Sequence, residues 1–161
     1  MVDINESAPN ARLKRVNVVE NIVNEDFELS KAYSEGIVVL YFFPAAFTGV
    51  CTKSTCALQD DLADFSRLDA HLYAISVDGP FTLKAFAEQH NLTYNLLSDF
   101  NKQAIQAFDV AYADFLGLHL VAKRSLFAIK DGKVTYKWVT DNAGDYPPFA
   151  ELKQHIISLR R

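Results

Sequence analysis

The chain has 161 residues, of which 50% are hydrophobic and 22% are charged, so we expect one soluble globular domain over residues 1–161. Because 16 basic residues stand against 20 acidic ones, the net charge of −4 argues against nucleic acid as a partner. No apolar run approaches the roughly 20 residues that a membrane-spanning helix needs, and the polar, acidic start of the chain is unlike a signal peptide. We therefore expect no membrane partner and a cytoplasmic location.

Strand and helix patterns alternate along the chain. Valines and isoleucine at strand-like density predict a strand within residues 12–23, and the continuous apolar run at 37–43 predicts a strand buried on both faces. Leucine and phenylalanine at intervals of three and four then predict one helix over residues 52–68. The later predicted elements are a strand at 71–77, a helix from 78 to about 90, a strand at 94–97, a helix at 101–108, a hairpin of 125–129 and 133–139 around Asp131-Gly132, and a helix from 147 to 158.

This order of elements is that of a thioredoxin-like fold. A β-α-β crossover makes the first strands parallel, and the later hairpin adds antiparallel strands. We therefore predict an α/β protein with a mixed central β-sheet flanked by helices. Residues 1–30 form an N-terminal extension in this prediction, and residues 99–123 are a second addition to the core.

Cys51 follows the buried strand and opens the next helix, a position that favours a reactive thiol. The first turn of a helix has unpaired N–H groups and partial positive charge, which stabilise a thiolate, the nucleophilic form of cysteine. Thr48 can turn its hydroxyl towards the sulfur or a bound oxygen, and Pro44 can shield the pocket from water. The alternative at this point is that Cys51 is a small buried hydrophobic residue, as free cysteines commonly are.

The segment Pro44-Ala-Ala-Phe-Thr48-Gly-Val-Cys51 resembles the Pro-x-x-x-Thr-x-x-Cys signature of peroxiredoxins. The resemblance extends over most of the chain. Further segments that are similar to this family are Tyr41-Phe-Phe-Pro44, Ser76-Val-Asp-Gly, Leu96-Leu-Ser-Asp99 and Arg124-Ser-Leu-Phe. The most similar subgroups are the bacterioferritin-comigratory (Q-type) and the alkyl-hydroperoxide-reductase-E-like peroxiredoxins.

The resemblance implies a thiol-dependent peroxidase. Cys51 would attack the terminal oxygen of a peroxide and become a sulfenic acid, while Thr48 holds thiolate and substrate and Pro44 covers the site. Arg124 would favour the thiolate and stabilise charge on the leaving oxygen. From the residues alone, an arginine that opens a strand is more often on the surface. The implied partners are a peroxide and a thioredoxin-like or other thiol reductant, with the chain a monomer or a homodimer.

Cys56 is the only other cysteine, and in the Q-type group a cysteine at this spacing resolves the sulfenic acid as an intramolecular disulfide. In an intact helix, positions five apart lie about 7.5 Å apart along the axis and about 140° apart around it. Since disulfide Cα atoms normally lie within about 7 Å, a Cys51–Cys56 bond needs the first turns of the helix to unwind. The open alternative is that Cys56 is a core thiol and that an external thiol recycles Cys51. Ser54 stands where many relatives carry glutamate, which removes an expected carboxylate contact to the arginine.

Other functional classes fit the sequence less well. A thioredoxin-like dithiol oxidoreductase needs Cys-x-x-Cys, and the spacing between the two cysteines is wider here. A non-catalytic redox-sensing or binding protein that keeps the fold is a further alternative, as is a metal-binding protein. Two cysteines and four scattered histidines give no metal-ligand spacing, so we expect neither a metal nor a cofactor.

Overall fold

Seven strands form one mixed β-sheet with helices on both faces; the structure is a computed structural model that describes residues 1–160. The strands of this sheet are β1 (Arg12–Asn17), β2 (Ile22–Glu28), β3 (Ile37–Phe42), β4 (Ala70–Ser76), β5 (Asn95–Ser98), β8 (Ser125–Lys130) and β9 (Lys133–Val139). A separate pair consists of β6 (Ala111–Tyr112) and β7 (Val121–Ala122). The helices are α1 (Leu29–Ala32), α2 (Gly49–Asp60), α3 (Leu62–Arg67), α4 (Pro80–His90), α5 (Gln103–Ala107) and α6 (Phe149–Leu159).

The sheet has the strand order β2-β1-β5-β4-β3-β8-β9. Strand β4 pairs parallel to both β3 and β5, and the other neighbours in the sheet pair antiparallel. The predicted α/β class, with a thioredoxin-like mixed sheet, is therefore confirmed. At the end of β3, Phe42 lies opposite Ile75 of β4 and Ser125 of β8. Residues that follow β3 and residues that precede β8 consequently meet at one edge of the sheet.

Strand β3 is buried on both faces, as its apolar run predicts. Its odd-numbered residues pack in a hydrophobic cluster with side chains of α2, α3, α4 and α6. Its even-numbered residues pack in a second cluster with α1 and α5. Because successive side chains of a strand point to opposite faces, a strand between two helical layers needs apolar residues at every position. None of the helices within residues 1–160 is long and apolar enough to cross a membrane.

The N-terminal region contains two strands where one strand was predicted within residues 12–23. Asn21 has a left-handed φ of 57° and ends the turn between β1 and β2. Strand β1 also pairs with β5, so the extension widens the central sheet. The sequence pattern missed β2 because residues 24–26 of this edge strand are polar and exposed.

Two helices replace the single helix predicted over residues 52–68. Asp61 has a ψ of 1°, which ends α2 and precedes α3. Leu58 and Phe65 pack in the same cluster on either side of this break, so apolar spacing alone does not reveal it. The other predicted elements have bounds within two residues of those in the structure.

Candidate active site

Cys51 lies in the first turn of α2, just beyond the carboxyl end of β3. Thr48 is the N-cap residue in an extended conformation, and the first helical hydrogen bond runs from the N–H of Thr52 to the carbonyl oxygen of Thr48 at 2.9 Å. The N–H groups of residues 49–51 therefore precede the first helical donor and form the positive end of the helix dipole. The Cys51 side chain is completely buried at this end.

The guanidinium of Arg124 contacts the sulfur of Cys51. Its Nη2 donates to Sγ at 3.3 Å, its Nη1 donates to the hydroxyl of Tyr41 at 2.7 Å, and its Nε donates to the carbonyl oxygen of Ala143 at 3.0 Å. Arg124 is only 1% exposed, and no carboxylate within residues 1–160 forms an ion pair with it. Negative charge is therefore favoured at the position next to Nη2, which the sulfur of Cys51 occupies.

Burial and neighbouring groups act in opposite directions on Arg124. Burial alone lowers the pKa of the guanidinium, but Tyr41 and Cys51 beside it outweigh burial and raise that pKa above its usual value. Arg124 and Cys51 are 73 positions apart in sequence and meet because β8 pairs with β3. The alternative of a surface arginine at this position is therefore wrong.

Thr48 and Pro44 lie in the loop that joins β3 to α2. The hydroxyl of Thr48 donates to the carbonyl oxygen of Ala45 at 2.7 Å, so its hydrogen does not point to the sulfur of Cys51. A hydroxyl whose hydrogen is engaged in this way keeps its lone pairs for an incoming donor. Pro44 is buried where the chain leaves the sheet.

Asp78 holds the centre of the same loop. Its Oδ2 accepts a hydrogen bond from the N–H of Ala46 at 2.8 Å and another from the hydroxyl of Ser76 at 2.7 Å. Ser76 ends β4, which pairs parallel to β3, so the loop is anchored to the neighbouring strand. This anchor fixes the path of the chain towards Cys51.

Tyr41 stands between Ser54 and Arg124, and no direct hydrogen bond joins Ser54 to the guanidinium. The hydroxyl of Tyr41 lies 2.7 Å from Oγ of Ser54, and Ser54 donates to the carbonyl oxygen of Cys51 at 3.1 Å. Burial raises the pKa of Tyr41 despite the opposing effects of Arg124 and Ser54. The phenol is therefore neutral at physiological pH and can both accept and donate a hydrogen bond.

Ala143 belongs to the loop between β9 and α6. In that loop the hydroxyl of Thr140 donates to Oδ2 of Asp145 at 2.6 Å and accepts from the N–H of Asn142 at 3.0 Å. These bonds order the segment around Ala143 and so fix the carbonyl that Arg124 contacts.

Cys56 lies on the same intact helix as Cys51, and the two free thiols are not within disulfide distance. The side chain of Thr55 donates to the carbonyl oxygen of Cys51 at 2.8 Å, and Tyr94 donates to the carbonyl oxygen of Thr55 at 2.7 Å. Burial and, to a smaller extent, the nearby carboxylate of Asp60 raise the pKa of the Cys56 thiol. A bond between the two sulfurs therefore requires the predicted unwinding of the helix.

Sequence reasoning missed Tyr41, Asp78 and Ala143. The position of Asp78 could have been recognised from the sequence. It follows the end of β4, where a polar side chain can reach the loop that leaves the neighbouring strand. Tyr41 sits within an apolar run and is easily taken for a plain core residue. Ala143 contributes a backbone carbonyl, for which its side chain gives no signal.

Comparisons with known proteins match this chain to one family. The AhpC/TSA family model matches residues 4–137. Peroxiredoxin Bcp of Bacillus subtilis (strain 168) is 32% identical over 140 residues, which cover 85% of each chain. Alkyl hydroperoxide reductase E of Mycobacterium tuberculosis (strain CDC 1551 / Oshkosh) is 38% identical over 117 residues, or 73% of this chain and 67% of that protein.

The fold has close counterparts among solved structures. The crystal structure of peroxidoxin BcpB from Mycobacterium tuberculosis superposes with a TM-score of 0.81 at 28% identity, covering 99% of this chain and 97% of that one. The chain therefore belongs to the AhpC/TSA family, as its resemblance to peroxiredoxins predicts.

Proposed function

We propose that the chain is a thiol-dependent peroxidase in which the thiolate of Cys51 reduces hydrogen peroxide and organic hydroperoxides. The contact between Nη2 of Arg124 and the sulfur of Cys51 carries this proposal, because it pairs a buried cation with a thiol at a helix start. The names of two relatives, Peroxiredoxin Bcp and Alkyl hydroperoxide reductase E, support the same chemistry.

In the proposed first step, the thiolate of Cys51 attacks the terminal oxygen of the peroxide and the O–O bond breaks. Sulfur gives up two electrons and keeps the attacked oxygen, whose hydrogen passes to the leaving oxygen. A thiolate and a hydroperoxide thus become a sulfenate and an alcohol, or water when the substrate is hydrogen peroxide. Arg124 stabilises the negative charge that spreads over sulfur and two oxygens, since its planar fork offers several preorganised donors.

Thr48 and Pro44 have supporting roles in this proposal. The hydroxyl of Thr48 has given its hydrogen to Ala45, so it accepts the hydrogen of the incoming peroxide and orients the terminal oxygen towards the sulfur. Pro44 is buried beside the strand end and has no N–H to attract water, which suits a cover over the reacting atoms.

The second proposed step joins Cys51 and Cys56 in a disulfide, with loss of water from the sulfenic acid. The helix must first release the hydrogen bonds that Ser54 and Thr55 make to the carbonyl oxygen of Cys51. Each such bond stabilises the helix by about 0.5–1.5 kcal/mol net, so thermal unwinding is accessible but costs energy. A thioredoxin-like or other thiol reductant then returns both cysteines to thiols.

A second candidate is a one-cysteine peroxidase in which an external thiol reduces the sulfenic acid of Cys51 directly. The observation that favours it is the intact helix, which keeps Cys56 away from Cys51. The raised pKa of Cys56 also favours it, because a protonated thiol is a poor nucleophile. The two candidates share the first step and differ in the fate of the sulfenic acid.

We further propose that residues 1–161 act as one domain in the cytoplasm. The continuous seven-stranded sheet supports a single domain. A cycle that must return two cysteines to thiols suits a reducing compartment. The working unit is a monomer or a homodimer.

Peroxide consumption by the wild-type chain and by Cys51→Ser tests the proposed function. We expect rapid consumption by the wild type in the presence of a thioredoxin-like reductant and none above background by the variant. A wild-type chain that leaves peroxide untouched under reducing conditions would instead identify a non-catalytic redox-sensing or binding protein.

A further inference from the structure

Two buried side chains, Tyr41 and Ser54, connect the guanidinium of Arg124 to the backbone of Cys51. A guanidinium can only donate and a carbonyl oxygen can only accept, so the direction of every hydrogen bond between them is determined. Nη1 of Arg124 donates to the hydroxyl of Tyr41 at 2.7 Å, Tyr41 therefore donates to Ser54 at 2.7 Å, and Ser54 donates to the carbonyl oxygen of Cys51 at 3.1 Å. We call the pair of hydroxyl groups the Tyr41–Ser54 relay.

The relay connects the buried guanidinium with the helix that carries the reacting sulfur. The guanidinium makes two other hydrogen bonds. Nε donates to the carbonyl oxygen of Ala143, which lies in the loop after β9, and Nη2 donates to the sulfur of Cys51 itself. The guanidinium is planar, so holding Nη1 at Tyr41 and Nε at Ala143 also fixes the direction in which Nη2 points. No carboxylate within residues 1–160 forms an ion pair or a hydrogen bond with the guanidinium.

We propose that Tyr41 is a positioning residue, which holds the guanidinium of Arg124 through the Tyr41–Ser54 relay so that Nη2 faces the sulfur of Cys51. This inference rests on the proposed roles of Cys51 and Arg124. The relay ends on the carbonyl oxygen of Cys51, so it is complete only while the first turns of α2 are folded. The hydroxyl of Tyr41 bonds to Ser54 and Arg124 and makes no hydrogen bond to the sulfur, so in this proposal it acts on the reaction through Arg124.

A double-mutant cycle of Tyr41→Phe and Arg124→Ala separates positioning from general support of the fold. The rate measured is the second-order oxidation of Cys51 by hydrogen peroxide in a single turnover, read by alkylation of the remaining thiol and mass spectrometry. Loss of the relay hydroxyl leaves a buried donor of Arg124 without its partner, so we expect Tyr41→Phe to lower the rate about tenfold when Arg124 is present. In the Arg124→Ala background, the same change should alter the rate less than about twofold, because nothing is left to position.

Two further variants complete the test. Ser54→Ala shortens the relay from its far end and should lower the rate about threefold, again only when Arg124 is present. If Tyr41→Phe does not fold, Ser54→Ala is used in the same double-mutant cycle in its place. Tyr136→Phe is the matched control: this tyrosine packs in the same hydrophobic cluster as Tyr41 and donates to Glu151 at 3.0 Å, away from the guanidinium. Its rate should equal that of the wild type.

Equal losses for Tyr41→Phe in both backgrounds would overturn the inference, because they would identify a purely structural role. A wild-type rate in Tyr41→Phe together with a large loss in Arg124→Ala would show that the relay does not position the guanidinium. The proposed role of Arg124 would then stand without it. A wild-type rate in Arg124→Ala would overturn that proposed role as well as the relay.

Discussion

The hydroxyl of Tyr94 donates a hydrogen bond of 2.7 Å to the carbonyl oxygen of Thr55, the residue just before Cys56. Next to it, Gln59 of α2 exchanges two hydrogen bonds with Thr93, at 2.7 and 2.8 Å. Gln59 thus ties the half of α2 that follows Cys56 to the segment that precedes β5, and Tyr94 ties the residue before Cys56 to the same segment. Unwinding that brings Cys56 to Cys51 must therefore occur in the first half of the helix and must work against the Tyr94 bond.

Removing the hydroxyl of Tyr94 should speed the second step of the cycle. In Tyr94→Phe we expect the Cys51–Cys56 disulfide to form about threefold to tenfold faster after oxidation, since one buried hydrogen bond contributes about 1 kcal/mol. Rapid mixing with peroxide, followed by acid quench and mass spectrometry at successive times, gives this rate. Tyr33→Phe is the control, because its hydroxyl bonds to the carbonyl oxygen of Pro9, far from α2. A disulfide rate that stays unchanged would mean that unwinding does not involve the Tyr94 contact.

The Cys56 thiol should react with alkylating agents only at raised pH. Burial and the carboxylate of Asp60 raise its pKa, so less thiolate is present at neutral pH than the ordinary thiol value of about 8.5 allows. In Cys51→Ser, where Cys56 is the only thiol, the alkylation rate should rise with a midpoint above that value. Asp60→Asn should move the midpoint down, because the charge that disfavours the thiolate is gone. A midpoint at or below the ordinary value would contradict this account of Cys56.

Replacing Arg124 by lysine should slow the reaction of Cys51 with peroxide although the charge is kept. Arg124 uses its three nitrogens on three different partners, and an ammonium on a flexible stem cannot reproduce this fork. Loss of a preorganised donor typically costs about 10²–10³ in rate, so we expect a decrease of one to three orders of magnitude. Stopped-flow measurement at several peroxide concentrations gives the second-order constant. An unchanged constant in both Arg124→Lys and Arg124→Ala would show that this arginine has no part in the chemistry.

The Thr48 hydroxyl should matter for the substrate more than for the thiol. Thr48→Val keeps the shape of the side chain but removes the oxygen, and we expect the rate with peroxide to fall by about 10². Thr48→Ser keeps the oxygen and should retain most of the rate. Alkylation of Cys51 by a neutral reagent should change little in Thr48→Val, since the hydroxyl hydrogen is engaged by Ala45 and not by the sulfur. If alkylation falls as far as peroxide reduction, Thr48 acts on the thiol instead of the substrate.

The sequence predicts best where a single physical pattern decides the structure. The short apolar run of β3, rich in β-branched and aromatic residues, favours a strand between two helical layers, and the strand-to-helix change places Cys51 at a helix start. The sequence does not reveal strand β2 or the break at Asp61. A polar edge strand adds no apolar pattern, and a bend within a buried apolar face leaves the spacing of the apolar residues unchanged. Pairing of strands distant in sequence brings Arg124 to Cys51, and only the family resemblance anticipated it.

The hydrogen-bond partners of Arg124 are the part of the site that could not be predicted from the sequence. From the sequence, Tyr41 is indistinguishable from any other core aromatic residue of β3. Its hydroxyl can hold the guanidinium only because Ser54 and Arg124 lie next to it in space. Ala143 acts through a carbonyl oxygen that any residue could supply. Hydrogen bonds of this kind depend on tertiary contacts, so no local pattern of residues can specify them.

The most direct test of the central claim, that Cys51 is the nucleophile, is the mass of the chain after one equivalent of hydrogen peroxide. We predict that the wild type loses two hydrogen atoms as Cys51 and Cys56 join, and that Cys56→Ser gains one oxygen at Cys51. Cys51→Ser should keep its mass, with Cys56 still free to be alkylated. An oxygen gained at Cys56 in Cys51→Ser, at the rate seen for the wild type, would contradict the account.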